Sequence, residues 1–310
     1  MRLIKQFLPV FPVPTWKEFP FHRNSELQLK LHDLPFKATI EFPIRTMNRR
    51  SFLKTSAGIT CATGTIPFVN QVSAQHSETG SGKQQFLELR HFSILSEDKK
   101  KQVDGFLKQA VIPALNRRGI QPVGVFHQMP EKDDHSIYML VPYQTLDQFS
   151  SITSDLAADE TFLEAGSDYL NSEKKDPPYT RVNTTLMKAF TGYPKVKTPR
   201  KGERFFELRT YESHNEKKAI LKVEMFNTAE LAIFEAVGLD GVFYGETLAG
   251  PDMPNLNYML AYKNKDERKK SWQAFSKNPD WQTLKKDSRF KDTVSNIRAV
   301  FLQPAPYSQI

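Results

Sequence analysis

Two glutamate–arginine pairs are the residues of this sequence best suited to chemistry. Glu88 and Arg90 lie two positions apart, and Glu207 and Arg209 repeat the spacing 119 residues later (207 − 88 = 119). Side chains two apart on a β-strand share a face, so each pair would project together. Such a pair orients a polar ligand group or supplies a weakly basic carboxylate. It equally serves as a structural ion pair, which is how a protein tolerates buried charge.

Tyrosines and histidines supply the other candidate groups. The candidate catalytic residues are Glu207, Arg209, Tyr211 and His127, and the candidate ligand-binding residues are Glu88, Arg90, Tyr138, Tyr244, Tyr258 and Arg268. An aromatic ring with one polar end suits a pocket wall, and it suits a plain sheet core equally well. His91 alternates toward the predicted helices and is expected to be a hydrogen-bonded core residue.

Several familiar site patterns do not occur in the sequence. No His-x-x-Glu-His spacing predicts a metal, and there is no glycine-rich phosphate loop or Gly-x-Ser-x-Gly elbow. The single cysteine, Cys61, lies in a predicted leader, so the mature chain would hold no thiol nucleophile. We therefore expect neither a metal nor a cofactor.

The candidate residues lie on two copies of one pattern. Three segments of the first copy reappear in order in the second: 86–92 at 205–211, 124–127 at 241–244, and 136–143 at 256–262. Each copy has the order strand, helix, strand, strand, helix, strand, which predicts a ferredoxin-like plait in an α+β protein. A single plait leaves one sheet face uncovered, so we expect the two to pack sheet to sheet as a dimeric α/β barrel.

This packing makes a prediction about strand faces. The two glutamate–arginine pairs would line the shared interior, where a small-molecule pocket is most natural. Leu87, Leu89 and Leu208, on the opposite strand faces, would then pack against the helices.

These patterns divide the chain into six segments. They are a non-native or disordered extension at 1–46, a twin-arginine signal peptide at 47–74, a tether at 75–85, a first repeat at 86–190, a linker at 191–203 and a second repeat at 204–304. The linker carries Pro194, Pro199 and several basic residues, as exposed connections do.

An export signal explains the composition of the early part of the chain. Arg49 and Arg50 precede a short, weakly apolar stretch that ends at Ala74, as in bacterial twin-arginine signals. The stretch is shorter than the roughly 20 apolar residues that span a membrane. We expect Met47 to be the initiator, the twin-arginine translocase to be a transient partner, and the cleaved protein to be periplasmic or secreted.

The charge distribution argues against nucleic acid as a partner. The formal net charge is +8, but residues 1–74 hold ten basic and four acidic side chains, which is +6. The remaining 236 residues therefore carry only +2. Interleaved charge of this kind is typical of a solvated surface.

The second repeat resembles the NIPSNAP family. The resemblance rests on the strands 206–211 and 258–262, Glu267-Arg268, Trp272 with Phe275, and the turn 278–282, where Asn278 replaces the family's Asp. The first repeat has 146–149 and 161–162 in place of the Glu-Arg and Pro-x-Trp elements. The resemblance extends over about Gln84 to Pro304 and implies the dimeric α/β barrel superfamily, which includes cofactor-free monooxygenases and haem proteins. NIPSNAP proteins have no well-established catalytic residues, so little chemistry transfers.

Three functional hypotheses follow. The first is an exported protein that binds a small, partly apolar molecule or a protein partner between its two sheets, with a homo-oligomer as a further option. The second is a cofactor-independent oxygenase or isomerase acting on an aromatic or quinone-like substrate. The third is a haem protein with His127 as the inward ligand.

Overall fold

The computed structural model describes residues 83–129 and 134–310. The predicted extension at 1–46, the predicted signal at 47–74 with its cleavage site at Ala74, and residues 75–82 of the predicted tether all lie outside the described residues. The fold and the candidate site are therefore those of the two predicted repeats and the linker between them.

In the described part of the chain, eight antiparallel strands close into a barrel. They are β1 (Phe86–Ser93), β2 (Gly124–Gln128), β3 (Ile137–Tyr143), β4 (Arg181–Ala189), β5 (Phe205–Glu212), β6 (Asp240–Ala249), β7 (Asn255–Tyr262) and β8 (Asn296–Pro304). Around the barrel the order is β1-β3-β2-β8-β5-β7-β6-β4, and β4 pairs back to β1.

Helices follow the first and third strands of each half. They are α1 (Glu97–Phe106), α2 (Ile112–Arg117), α3 (Leu146–Ala157), α4 (Glu160–Ala165), α5 (Ser167–Leu170), α6 (Glu216–Met225), α7 (Leu231–Ala236), α8 (Lys265–Lys277) and α9 (Pro279–Leu284). Ser96, Thr145, Asn215 and Asn264 begin four of them by accepting a backbone N–H three residues on. Across residues 83–129 and 134–310, none of the helices is long and apolar enough to cross a membrane.

A π-helical turn interrupts the first helix of both halves at equivalent positions. It covers Leu107–Val111 and Phe226–Glu230, which are 119 residues apart (226 − 107 = 119). The sequence predicts that Pro113 ends or kinks the first helix. Instead, Pro113 is the second residue of α2, directly after the π turn, and the helix continues through it to Arg117. The second half has the same turn without a proline, so Pro113 is not its cause.

Edge strands join the two halves. Each half has its four strands in the same relative order, β4-β1-β3-β2 and β8-β5-β7-β6. β2 then pairs with β8, and β4 pairs with β6. The expected face-to-face packing is thus accompanied by continuous hydrogen bonding from one sheet into the other. Closure leaves no unpaired edge in the barrel, which removes the usual site of strand addition.

Apolar side chains fill the middle of the barrel, and the predicted strand faces are wrong. Leu87, Leu89 and Leu208 point into the interior, not toward the helices. The interior cluster, drawn from both halves, is Leu87, Leu89, Phe126, Tyr138, Leu140, Met187, Ala189, Phe206, Leu208, Val242, Phe243, Met259, Ala261, Leu302 and Ile310. Alternation fixes which residues share a face but not which face lies inside. Both glutamate–arginine pairs consequently lie on the outer face, beneath the helices.

The two ends of the barrel interior differ. At one end Ile310 is fully buried beside Gly124, and the Gln85 N–H donates to the Pro194 carbonyl at 2.9 Å. This end is closed by the segment around Ile310 and by the linker. At the opposite end polar side chains line the interior in place of the apolar cluster, and the interior opens into a cavity.

Removing a ring from the barrel interior should destabilise the fold strongly. Phe206 is fully buried and meets Phe126 edge-on with ring centroids 4.9 Å apart. We expect Phe206→Ala to lower the free energy of unfolding by about 3–5 kcal/mol. Phe301→Ala is the control, because its ring is 36% exposed on the outer face of β8. Urea unfolding followed by circular dichroism measures both, and equal losses would contradict the interior placement.

Candidate functional site

Glu207 is buried beneath α8 and accepts five hydrogen bonds from described residues. Arg209 Nη1 donates to Oε1 at 2.6 Å, and Arg268 donates through Nη2 at 2.7 Å and Nε at 2.8 Å. The Tyr262 hydroxyl donates to Oε2 at 3.1 Å and Trp272 Nε1 at 3.3 Å. Two guanidinium groups and two neutral donors therefore surround one carboxylate that has no exposed surface.

This environment makes Glu207 a structural group and a poor base. Burial raises the pKa of the Glu207 carboxyl, but the hydrogen bond from Arg268 and the charges of Arg209 and Arg268 outweigh burial and hold the pKa below its ordinary value. A carboxylate with its lone pairs engaged and its proton affinity reduced is badly matched to proton abstraction. Its bonds to Arg268 and Trp272 instead tie β5 to α8.

The other second-half candidates extend this network into an aromatic layer. The Arg209 guanidinium lies over the Trp272 ring, 4.7 Å from its centroid, and the Tyr258 hydroxyl donates to the Tyr211 hydroxyl at 2.8 Å. Tyr244 stacks on Tyr258 with ring centroids 5.4 Å apart. Burial raises the pKa of Tyr258 well above its ordinary value, and the neighbouring Tyr211 adds to the shift. These tyrosines form the packed core between sheet and helices.

The first half holds a simpler version of the same arrangement. Glu88 accepts from Arg90 Nε at 2.6 Å and from the Tyr143 hydroxyl at 2.8 Å. Phe149 stands on α3 where Arg268 stands on α8 (268 − 149 = 119), and it packs edge-on against Tyr143. Glu88 and Arg90 therefore also lie under helices and not in the barrel interior.

His127 lies apart from the other catalytic candidates. Its Nε2 is 2.8 Å from Asp104 Oδ1 on α1, and the Tyr307 hydroxyl donates to the same oxygen. His127 thus faces the helices of the first half, while its neighbour Phe126 faces the interior. The expectation that His127 points into the interior is wrong. As with the other strands, alternation along β2 shows which residues share a face but not which face lies inside. The structure does not bring His127 to Glu207, Arg209 and Tyr211.

A buried ion pair that the sequence analysis did not single out lies in the second-half layer. Lys222 Nζ on α6 is 2.6 Å from Glu230 Oε2 in the π turn, and Nζ lies 4.6 Å from the Phe226 ring centroid. Burial raises the pKa of the Glu230 carboxyl, and the Lys222 charge opposes that shift. A comparison of the two halves of the sequence could have pointed to this pair, because the positions 119 residues before Lys222 and Glu230 hold Val103 and Val111, which are buried.

The open end of the barrel interior, here called the mouth, is a cavity of about 340 Å³. Both halves contribute to its wall. The lining residues are Leu89, His91, Tyr138, Asn183 and Thr185 from the first half, and Leu208, Thr210, Pro251, Asp252, Asn255, Asn257, Arg298 and Val300 from the second. The predicted ligand-binding residue Tyr138 belongs to this set, whereas the other candidate residues predicted from the sequence lie outside it.

Hydrogen bonds fix the second-half wall of the mouth. The Thr210 hydroxyl donates to Asn257 Oδ1 at 2.6 Å, and Asn257 Nδ2 donates to Thr247 Oγ1 at 3.0 Å. Thr247 in turn donates to Asn255 Oδ1 at 2.6 Å, and Asn255 Nδ2 donates to the Pro251 carbonyl in the β6–β7 turn at 2.9 Å. The amides of this wall are therefore held by one another before any ligand arrives.

His91 is the titratable group of the first-half wall. Its ring stacks on Tyr138 with centroids 4.4 Å apart, and its Nε2 is 3.1 Å from Ser136 Oγ. Burial lowers the pKa of His91 and outweighs the opposing charge of Asp134, so the imidazole is neutral at neutral pH. Burial also raises the pKa of Tyr138 to about 12. His91 was expected on the helix side, and its position in the mouth follows from the corrected strand faces.

Charged groups occur at the rim of the mouth. Arg298 Nη2 is 2.7 Å from Asp252 Oδ2, and Arg298 Nε is 3.1 Å from Glu212 Oε1. The guanidinium is half exposed and is already paired with two carboxylates. Arg298 consequently holds strand β8 to the β6–β7 turn.

Two larger depressions lie on outer surfaces of the molecule. One of about 540 Å³ is bounded by the linker and α7, and another of about 790 Å³ lies over β8 beside Arg268 and Phe301. Neither lies in the barrel interior, where side chains of the two halves converge. Among the described residues, no group of three or more His, Cys, Asp or Glu side chains is placed to hold a metal ion.

Comparison with known proteins identifies the family of the C-terminal region. Residues 206–309 match the NIPSNAP family model, so this region carries a NIPSNAP domain. No curated protein sequence matches the chain. The match covers the second half, where the resemblance in the sequence was closer.

Solved structures similar to this chain fall into two groups. A Lactobacillus acidophilus protein provisionally named a monooxygenase has 11% identity and a TM-score of 0.48 over 71% of this chain and 94% of its own. An anthrone oxidase-like protein has 8% identity and a TM-score of 0.44 over 73% and 93%. An uncharacterised NIPSNAP-like domain protein from Burkholderia xenovorans has 18% identity and a TM-score of 0.32 over 34% and 89%.

Replacing Glu207 by Gln should remove an acid-sensitive contribution to stability. Two guanidinium groups would lose their buried carboxylate, at a loss of about 3–5 kcal/mol. Because the pKa of Glu207 is lower in the folded protein, its contribution is complete above the ordinary carboxyl pKa and disappears as pH falls through the folded value. Urea unfolding from pH 7 downward should show the two proteins converging in acid. Glu88→Gln, which removes a carboxylate with one arginine partner, should have a smaller effect; a larger one would contradict this account.

The first repeat supplies a direct replacement for the buried ion pair. Lys222→Val alone and Glu230→Val alone should each cost about 3–5 kcal/mol, because each leaves an unpaired buried charge. The double variant recreates Val103 and Val111 of the first half, and we expect it to be as stable as the wild type or more so by about 1–4 kcal/mol. Thermal and urea unfolding of the four proteins complete the cycle. Additive losses in the double variant would contradict the pairing.

Proposed function

We propose that this chain is an exported NIPSNAP-like protein that binds a small, partly apolar molecule in the mouth of its barrel. The observation that carries the proposal is the mouth itself. It combines an apolar floor of Leu89, Leu208 and Val300 with polar side chains on its walls. A concave site with an apolar surface and a few converging polar groups is the usual form of a small-molecule site.

The organisation of the chain supports a single site shared by two halves. We infer that the halves are tandem ferredoxin-like plaits of NIPSNAP type, since the strand order is the same in each and the π turns differ by 119 residues. Export through the twin-arginine route remains part of the proposal and rests on the sequence around Arg49 and Arg50. A single chain therefore forms the mouth, whereas a protein with only one plait would have to dimerise to form it.

One observation favours an enzyme as a second candidate. A cofactor-independent isomerase or oxygenase needs a base that its substrate can reach, and Glu207 does not meet that need because its oxygens are engaged. His91 is a neutral imidazole in the mouth with a hydroxyl partner, Ser136, at 3.1 Å. A histidine near neutrality is the commonest general base. In this alternative the mouth remains the site, and His91 acts as the base in place of Glu207.

Filling the mouth tests the proposal. Thr185 lines the cavity and Thr184, its neighbour on β4, is exposed on the outer face. Fluorine-NMR screening of a library of small aromatic and alicyclic compounds should give ligands for the wild type and for Thr184→Trp. The same ligands should lose binding to Thr185→Trp, whose indole occupies the cavity.

Circular dichroism and thermal unfolding confirm that both tryptophan variants are folded. A wild-type protein that binds none of the compounds would refute the proposal. So would a folded Thr185→Trp variant that binds them as well as Thr184→Trp does.

A further inference from the structure

We infer that the mouth selects an uncharged ligand and that the polar group of this ligand is held by the first-half wall, at Asn183 and Thr185 beside His91. The inference rests on the proposed function, because it assumes that the mouth is a binding site. It adds the chemical class of the ligand and its orientation.

The two charged residues that line the mouth, Arg298 and Asp252, are paired with each other and so offer no free counter-charge to a ligand. The Arg298 guanidinium has carboxylate oxygens at 2.7 and 3.1 Å, so it is not available to clamp an anion. Those carboxylates, Asp252 and Glu212, are engaged by the same guanidinium and are not available for a cation. Below this rim the described lining carries only neutral side chains, with His91 as the neutral imidazole. A charged group that leaves water without a counter-charge pays a large desolvation penalty.

The free hydrogen-bonding groups lie on one side of the mouth. On the second-half wall Thr210 and Asn257 bond to each other, and Asn257 also bonds to Thr247. On the first-half wall the side chains of Asn183 and Thr185 make no hydrogen bond to other described residues, although both line the cavity. A polar ligand group therefore gains most by docking on β4.

Strand register brings these free groups together. In the β1–β4 ladder Asn183 is directly opposite His91, and Thr185 is directly opposite Leu89. Directly opposed residues on neighbouring strands have their Cβ atoms about 4.5–5.5 Å apart. The Asn183 amide therefore lies beside the His91 imidazole, and the Thr185 hydroxyl follows two residues along the same face of β4. Leu208 and Val300, across the cavity, can cover an apolar body.

These features define a ligand class. It is a small neutral molecule with an apolar ring or chain and one hydroxyl, carbonyl or carboxamide group. A carboxamide is the best match, since it both donates and accepts, as the Asn183 amide and Thr185 hydroxyl do.

Three probes with one ring system test the charge selectivity. They are 2-naphthamide, 2-naphthoate and 2-naphthylmethylammonium, titrated into the full chain at neutral pH by isothermal calorimetry. We expect the neutral amide to bind at least about tenfold more tightly than either ion, and Thr185→Trp to abolish its binding. An ion that binds as tightly as the amide, in a manner blocked by Thr185→Trp, overturns the neutral-ligand inference and leaves the proposed function intact. Failure of all three probes to bind overturns the neutral-ligand inference, and the proposed function is overturned with it only if the compound library also gives no ligand.

Two conservative variants test the orientation. Thr185→Val and Asn183→Leu remove the free groups of β4 and should each weaken 2-naphthamide binding about 3- to 10-fold, the worth of one neutral hydrogen bond. Thr184→Val makes the same change one residue away on the outer face, and it should leave the affinity unchanged. If both mouth variants keep full affinity while Thr185→Trp still blocks binding, the ligand sits in the mouth but is not held by β4, and this inference fails.

Discussion

Closure of the barrel through its edge strands is the constraint on which the other features depend. The β2–β8 and β4–β6 ladders join residues of the two halves. They bring the inner faces of the two half-sheets together and bury an apolar cluster to which both halves contribute. Closure also brings polar side chains of the inner face together at one end of the barrel, where they line the mouth. The mouth is therefore a product of closure: neither half has the complete wall alone.

The outer faces of the two half-sheets are stabilised by different means. In the second half, buried charge is paired at two places, Glu207 with Arg209 and Arg268, and Lys222 with Glu230. In the first half apolar side chains stand at the positions of Arg268, Lys222 and Glu230. The NIPSNAP match covers the half that has these charges. Buried pairs seldom stabilise more than apolar packing does, so the two half-sheets pack against their helices by different chemistry at these positions.

The sequence predicted the elements of this fold well and the orientation of its strands badly. The internal repeat located the eight strands and the helices between them, and the closed sheet agrees with the expected barrel. The orientation failed because β1 and β5, which carry the glutamate–arginine pairs, have no exposed residue on either face, so alternation offered no solvated face as a reference. Because Glu207 and Arg209 are polar, we expected their side chains to line the interior shared by the two halves. In fact Arg268 and Trp272, which come from a helix some sixty residues later, provide the partners that allow these charges beneath α8. Such a long-range contact cannot be read from a local pattern. His91 was assigned to the helix side by the same inversion.

The π turns at matching positions bear on the evolutionary history of the two halves. Under the tandem duplication proposed here, an irregularity present at the same position in both copies existed in the single-plait ancestor, because two independent insertions at equivalent positions are a far less economical history. The lysine and glutamate that flank and occupy the second turn have no counterpart in the first, so they entered, or were lost from one copy, after the copies separated. The irregular turn is thus the shared trait, and the charges around it mark where the two halves differ.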